Sequence, residues 1–261
     1  MRKEKTATRK TIRRTILIVL AAILALSLVV IGICLFNERP AVQTMETYRS
    51  AYSDTIINMA DDGGVEIFPQ SGDADIGLIF YVGAQIKPEA YIPLLTRIAG
   101  QGVACFVPEL NLNMAALEPA AADDIIAVHP EIRSWILAGH SMGGLTASGY
   151  ADDHRDTVDG LLLLAAYTNR DMSDADLPVL AIIGDADGVM NKELYDERLA
   201  WNPADFEEHI IPGANHAQYG DYGKQPRDND ATISAEEQQM RTAEIVLDWL
   251  HRHMADGAAD A

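Results

Sequence analysis

A mainly parallel α/β fold, preceded by a basic tail and an uncharged apolar segment, is what this sequence predicts. Three observations lead there. From Val65 onward, short β-rich runs alternate with helical stretches, the pattern of βαβ units. Several runs are apolar without interruption, Leu161-Leu162-Leu163-Leu164-Ala165 for example, as strands buried on both faces must be. The chain is 261 residues long and 48% apolar, enough for one packed domain beside an anchor and too apolar for a disordered chain.

The elements follow in order. Residues 1–14 form a basic tail, with Arg2, Lys3, Lys5, Arg9, Lys10, Arg13 and Arg14 against the single acid Glu4. Residues 15–36, TILIVLAAILALSLVVIGICLF, are 22 positions without a charge. A helix of that length reaches about 33 Å, against about 30 Å of hydrocarbon core. This reads as an uncleaved transmembrane anchor in contact with the lipid bilayer. The basic flank places the N-terminus in the cytoplasm and the remainder outside, a single-pass cell-membrane topology. A signal peptide would have a shorter apolar core and a small-x-small site, which Cys34-Leu35-Phe36-Asn37 does not offer.

Residues 37–62 read as a juxtamembrane helix or linker, with Tyr48, Tyr52, Ile56 and Met59 at helical spacing. The domain proper spans 63–254, followed by a short Ala/Asp tail at 255–261. Its strands are expected at Val65–Phe68, Ile76–Val82, Val103–Val107, Ser134–Ala138, Gly160–Ala165, Val179–Ile183 and Glu208–Ile211. Helices are expected at about 88–100, 113–128, 142–153, 191–200 and 234–254. The last opens with Ser234 and Glu237 as a capping box and carries Ala243, Val246, Leu247, Leu250 and Met254 on one face.

Charge narrows the partners. Beyond residue 14 there are 13 basic and 38 acidic side chains, a net −25. That sign excludes a nucleic-acid surface. Cys34 and Cys105 can build neither a disulfide framework nor, by themselves, a zinc site, and no metal or cofactor is implied.

The sharpest motif is Gly139-His140-Ser141-Met142-Gly143, followed by Gly144, between the strand ending at Ala138 and a helix starting near Met142. In a strand–turn–helix setting, G-x-S-x-G is a nucleophile elbow: the turn strains the serine, and only glycines fit beside it. A serine is a poor nucleophile without a base oriented by an acid. Asp185 and Asp187 lie on the loop after the strand 178–183, and Asp187, further into the loop and followed by Gly188, is preferred. His216 lies on the loop after the next strand and is the expected base. His129, His140, His154, His209, His251 and His253 are expected on the surface or in packing. Gly83, which lets the backbone approach a substrate, and the N–H groups of Ala84 and Met142 are the candidate oxyanion hole.

The runs IFYVGAQIKPEAYIPLLTRIAGQGVACFVP, GHSMGG, LAIIGDADGV and PGANHAQYGDYGKQPRDNDATIS resemble the α/β-hydrolase fold family, specifically bacterial members with a G-H-S-x-G-G elbow and an N-H-A-Q-[FY]-G-D-Y-G histidine loop. The similarity runs from about Val65 to His253. It implies an eight-stranded-type hydrolase sheet and a triad of Ser141, Asp187 and His216. One departure is Val82-Gly83-Ala84, where relatives often have Pro-Gly-Gly. Only about ten residues separate Tyr167 from Pro178, where many relatives insert a lid, so the pocket is expected to be open, with Tyr167, Tyr219, Tyr222 and Met142 as candidate linings. The expected activity is hydrolysis of a small-molecule carboxylic ester through an acyl-enzyme. Thioesterase, amidase and carbon–carbon hydrolase chemistry share the triad, and a non-catalytic binding protein on the same fold is the rival of a different class.

Overall fold

The computed structural model describes residues 2–61 and 63–254. The tail at 255–261 lies outside the described residues. Two units separate after Glu38.

The first unit is a single helix, α1 (Arg2–Phe36). Among its described side chains, Ile16, Leu20, Leu24 and Leu28 are more than half exposed. The longest uninterrupted stretch with described side chains covers 15–29, and among the described residues no helix is long and apolar enough to cross a membrane. The expected span over 15–36 thus falls partly outside the described side chains, and the described ones do not support it.

The second unit is built on one eight-stranded sheet. Its strands are β1 (Thr55–Met59), β2 (Val65–Pro69), β3 (Ile76–Tyr81), β4 (Val103–Val107), β5 (Ser134–His140), β6 (Gly160–Leu164), β7 (Val179–Gly184) and β8 (Phe206–Ile211). They run in the order β1-β2-β4-β3-β5-β6-β7-β8, and only β2 is antiparallel to its neighbours. The centre of the sheet is apolar on both faces: every residue of β4, β6 and β7 is buried. The edge strand β8 is buried only at Ile211, so Glu207 and His209 can occupy it.

Helices α3 (Ile92–Ala99) and α7 (Ala235–Met254) pack on each other, and α5 (Met142–Asp153) covers β3, β5 and β6. The cap of α7 forms as its sequence requires, with the Glu237 N–H donating to Ser234 Oγ at 3.1 Å. Two shorter helices, α4 (Ala121–Val128) and α6 (Lys192–Arg198), complete the crossovers. The helix expected over 113–128 begins only at Ala121, because Ala115–Leu117 is a single 3-10 turn and Glu118, restricted by the Pro119 after it, leaves the helical region at φ −139° and ψ 61°.

Of the linker expected at 37–62, residues 39–61 belong to the second unit. After a short helix, α2 (Met45–Ala51), residues 55–59 form β1 against β2. Ile56 and Asn58 are exposed while Thr55 and Ile57 are buried, a period of two and not a helical one, and Met59 is exposed at the strand's end. Tyr48 is buried and its hydroxyl donates to Asp221 Oδ2 at 2.7 Å. Arg39 brackets the loop after β3, its N–H donating to Gln85 O and its carbonyl accepting from Lys87 N.

Candidate active site

The register of β3 against β5 sets Tyr81 beside Gly139, so the loops after both strands leave the sheet side by side. Because β4 lies on one flank of β3 and β5 on the other, the order reverses here, the switch point outside whose carboxyl ends open α/β sheets bind their ligands. Ser141 follows β5 at this point with φ 55° and ψ −120°. Such a conformation costs an L residue about 1–3 kcal/mol and persists only where the surroundings enforce it. They do: the Ser141 N–H donates to Leu164 O at 2.9 Å, and its carbonyl accepts from Leu145 N. A Cβ on Gly143 would lie 2.0 Å from the Tyr81 carbonyl oxygen, and one on Gly139 2.4 Å from the Gly143 carbonyl carbon. No side chain fits at either position.

Asp187 and His216 meet. His216 Nδ1 lies 2.8 Å from Asp187 Oδ2, and both side chains are almost fully buried. The other carboxylate oxygen, Oδ1, accepts from the N–H groups of Val189 and Met190, each at 2.8 Å. Burial pushes the Asp187 carboxyl up, but the His216 hydrogen bond and charge and these two N–H groups outweigh it, so its pKa falls below the ordinary value. An ionised Asp187 can only accept, which places a proton on His216 Nδ1. With Nδ1 turned to Asp187, Nε2 is the remaining ring nitrogen, and it is buried with no hydrogen-bond partner among the described residues. Asp185, the alternative acid, is exposed and is occupied with Gly213 N at 2.6 Å instead.

Two further side chains hold these loops, and the motif reading missed both. Asp228 Oδ1 accepts from Gly188 N, His216 N and Asn229 N, and its Oδ2 accepts from Ala217 N at 2.8 Å. It therefore joins the acid loop to the histidine loop. Gln238, fully buried on α7, accepts from Asn215 N and donates to Asn215 O at 2.8 Å. Their only sequence signal is polar side chains in and just after a glycine-rich loop, which many solvated loops share.

The oxyanion candidates divide. The Gly83 N–H is already committed to Tyr91 Oη at 2.9 Å, so it is not a donor for substrate. Ala84 N–H and Met142 N–H have no protein acceptor among the described residues. His140 is fully buried beside this loop, within 4.6 Å of the His216 ring, centroid to centroid. The other histidines serve elsewhere: His129 pairs with Glu131, His154 with the Tyr150 carbonyl, and His209 and His253 with Glu207. Of the expected pocket linings, Tyr219 and Tyr222 are buried packing residues, with Tyr219 Oη donating to Ile182 O. Tyr167 is partly exposed under the Arg198 guanidinium, and Met142 is also partly exposed. The connection from 165 to 178 carries no helix.

A family model described as the alpha/beta hydrolase family matches residues 77–240, most of the second unit. The chain belongs to the alpha/beta hydrolase family. Among solved structures it is similar to Est1E from Butyrivibrio proteoclasticus, with a TM-score of 0.56 and 15% sequence identity over 77% of this chain and 99% of that one. At that identity the likeness concerns the fold alone. No curated protein matches the sequence. Hydrolase membership agrees with the strained serine and with the buried aspartate–histidine pair already described.

Proposed function

We propose that this chain is a serine hydrolase that cleaves carboxylic esters through an acyl-enzyme and is held at a membrane by residues 15–36. The observation that carries the catalytic reading is the His216 ring, paired with Asp187 through Nδ1 and left with a buried, unpartnered Nε2. In this reading Ser141 Oγ attacks the acyl carbon while Nε2 takes its proton. The Ala84 and Met142 N–H groups, the latter at the start of α5, bind the oxyanion. Collapse breaks the ester C–O bond, and the proton on His216 passes to the departing alkoxide. Water then attacks the acyl carbon, gives its proton to His216, and Ser141 leaves protonated. The short connection at 165–178 leaves the site open, which suits a small ester or the protruding end of a larger one.

The anchoring reading rests on the sequence, on the 22 uncharged residues and the basic flank before them. It places the hydrolase domain on the extracytoplasmic side.

Full-length protein in isolated membranes, treated with a fluorophosphonate probe, is expected to carry one adduct, at Ser141. Ser141→Ala should fold equally well and remain unlabelled. A folded protein without an adduct would overturn the catalytic reading in favour of a binding protein. Hydrolysis of thioesters or amides but not oxygen esters would move the substrate class on the same triad. Alkaline carbonate washing should leave the chain in the membrane pellet, and its release would refute the anchor.

A further inference from the structure

His140 lies between the histidine loop and the loop after β3, and the protons along that path can be assigned. His140 Nε2 is 3.1 Å from the carbonyl oxygen of His216. A carbonyl only accepts, so Nε2 carries a proton. His140 Nδ1 is 2.9 Å from Tyr91 Oη, and the same hydroxyl oxygen accepts from the Gly83 N–H at 2.9 Å. Burial, and then the neighbouring His216, push the His140 pKa well below its ordinary value, so the ring is neutral and Nδ1 is an acceptor. Burial also keeps the Tyr91 hydroxyl protonated, and it therefore donates to Nδ1.

The remaining neighbours of the ring are Tyr219 and Tyr222, at 5.6 and 6.5 Å between centroids, and the charged groups beyond these rings are Asp187, paired with His216, and Arg39, over Tyr222. None offers His140 a competing acceptor. The path therefore has one direction throughout: Gly83 N–H to Tyr91 Oη, Tyr91 O–H to His140 Nδ1, His140 Nε2–H to His216 O. Gly83 is glycine for the sake of this path. A Cβ there would lie 2.8 Å from His140 Nδ1 and 3.1 Å from Tyr91 Oη.

We infer that His140 and Tyr91 are positioning residues, which lock the peptide of His216 and the Gly83–Ala84 loop to one another through a buried hydrogen-bond relay in the Nε2–H tautomer of His140. Resting on the serine-hydrolase reading, the consequence is that base and oxyanion donor are set by one clamp that touches no substrate. Leaving the elbow strand at the position before the nucleophile, His140 is, among the described residues, the one side chain that bonds both to the His216 carbonyl and to the Tyr91 hydroxyl under Gly83.

The test combines a spectroscopic and a kinetic readout on the full-length protein in detergent. Long-range 1H–15N correlation of histidine-labelled protein, assigned with His140→Gln, should show His140 protonated at Nε2 alone, unchanged from about pH 5 to 8. Tyr91→Phe preserves the ring against Phe80 and removes only the hydroxyl. It should speed amide exchange at Gly83 and lower kcat by about 10²-fold, with KM changed far less. A proton on Nδ1, or wild-type exchange and kcat in Tyr91→Phe, would overturn the relay. An inactive, unlabelled wild type would defeat the hydrolase reading, while the tautomer and exchange would still decide the clamp.

Discussion

Replacing Asp228 by Asn tests the cross-brace with the least change in shape. The carboxylate accepts four N–H groups: Gly188, His216 and Asn229 on Oδ1 at 3.1, 3.3 and 3.0 Å, and Ala217 on Oδ2 at 2.8 Å. An amide has one accepting oxygen. If that oxygen stays with the three donors, the new NH2 faces the Ala217 N–H, and the shortest bond of the set becomes a donor–donor contact. Flipping the amide is worse, because three donors then lose their acceptor. A hydrogen bond to a charged acceptor contributes about 1.5–3 kcal/mol, and the partial exposure of this loop lets water recover some of it. A net loss of about 2 kcal/mol, in a domain of this size, corresponds to about 4–8 °C in Tm. The freed peptide also carries His216, so kcat should fall by about 10²-fold, since displacements of about an ångström have that effect. Thermal unfolding by circular dichroism and ester turnover well below the transition measure both numbers. A D228N protein with wild-type Tm and kcat would refute the claim that this side chain joins the two loops.

Three other outcomes follow from the same geometry. Asp187→Asn should retain the fold but lower kcat by about 10⁴-fold, because an amide in its place no longer fixes the Nδ1–H tautomer of His216; single-turnover kinetics would check this. Gly143→Ala places a methyl 2.0 Å from the Tyr81 carbonyl oxygen, so it should yield insoluble or strongly destabilised protein, read as a loss of soluble yield and Tm. The Glu207 carboxyl is held down to about 2 by its Arg252 and His253 hydrogen bonds, against an ordinary 4.5. A depressed carboxyl stabilises fully above about pH 4.5, and the contribution fades as pH falls toward about 2. Glu207→Gln should therefore flatten the acid limb of a Tm-against-pH curve, and salt should shrink the difference because the pair is largely exposed.

Local pattern carried most of the frame. Strands buried on both faces announce themselves as apolar runs, as β4, β6 and β7 do, and seven of the eight lie where β-rich runs occur, β2 and β8 with charged residues among them. The eighth, β1, is an edge of five residues, with Ile56 exposed on one face and Met59 exposed at its end. Their spacing coincides with a helical stripe although neither belongs to the core. The elbow was legible for a different reason: steric exclusion at Gly139 and Gly143 leaves glycine as the sole choice. Gly83 shows the limit of that logic. Its need for space was readable, but the atoms filling the space, His140 Nδ1 and Tyr91 Oη, come from elsewhere in the chain.

The braces were invisible because each is a side chain bonded to the backbone of a segment distant in sequence. His140 reaches residue 216, Gln238 reaches 215, and Asp228 reaches 188. A backbone acceptor has no residue type, so no pairing pattern marks it. The arrangement has a physical logic. Loops at the carboxyl ends of parallel strands share few backbone bonds, here Ala186 N–H to Ala214 O between the acid and histidine loops, yet acid, base and oxyanion donors must be held within fractions of an ångström. Contacts between substrate-facing side chains cannot supply that rigidity, since those groups must stay free to react. It has to come from groups that face away from the substrate, and at this site three buried or half-buried polar side chains meet the need. Changes at His140, Asp228 or Gln238 should therefore reduce turnover through the positions of His216 and Gly83, leaving the chemical character of Ser141 as it was.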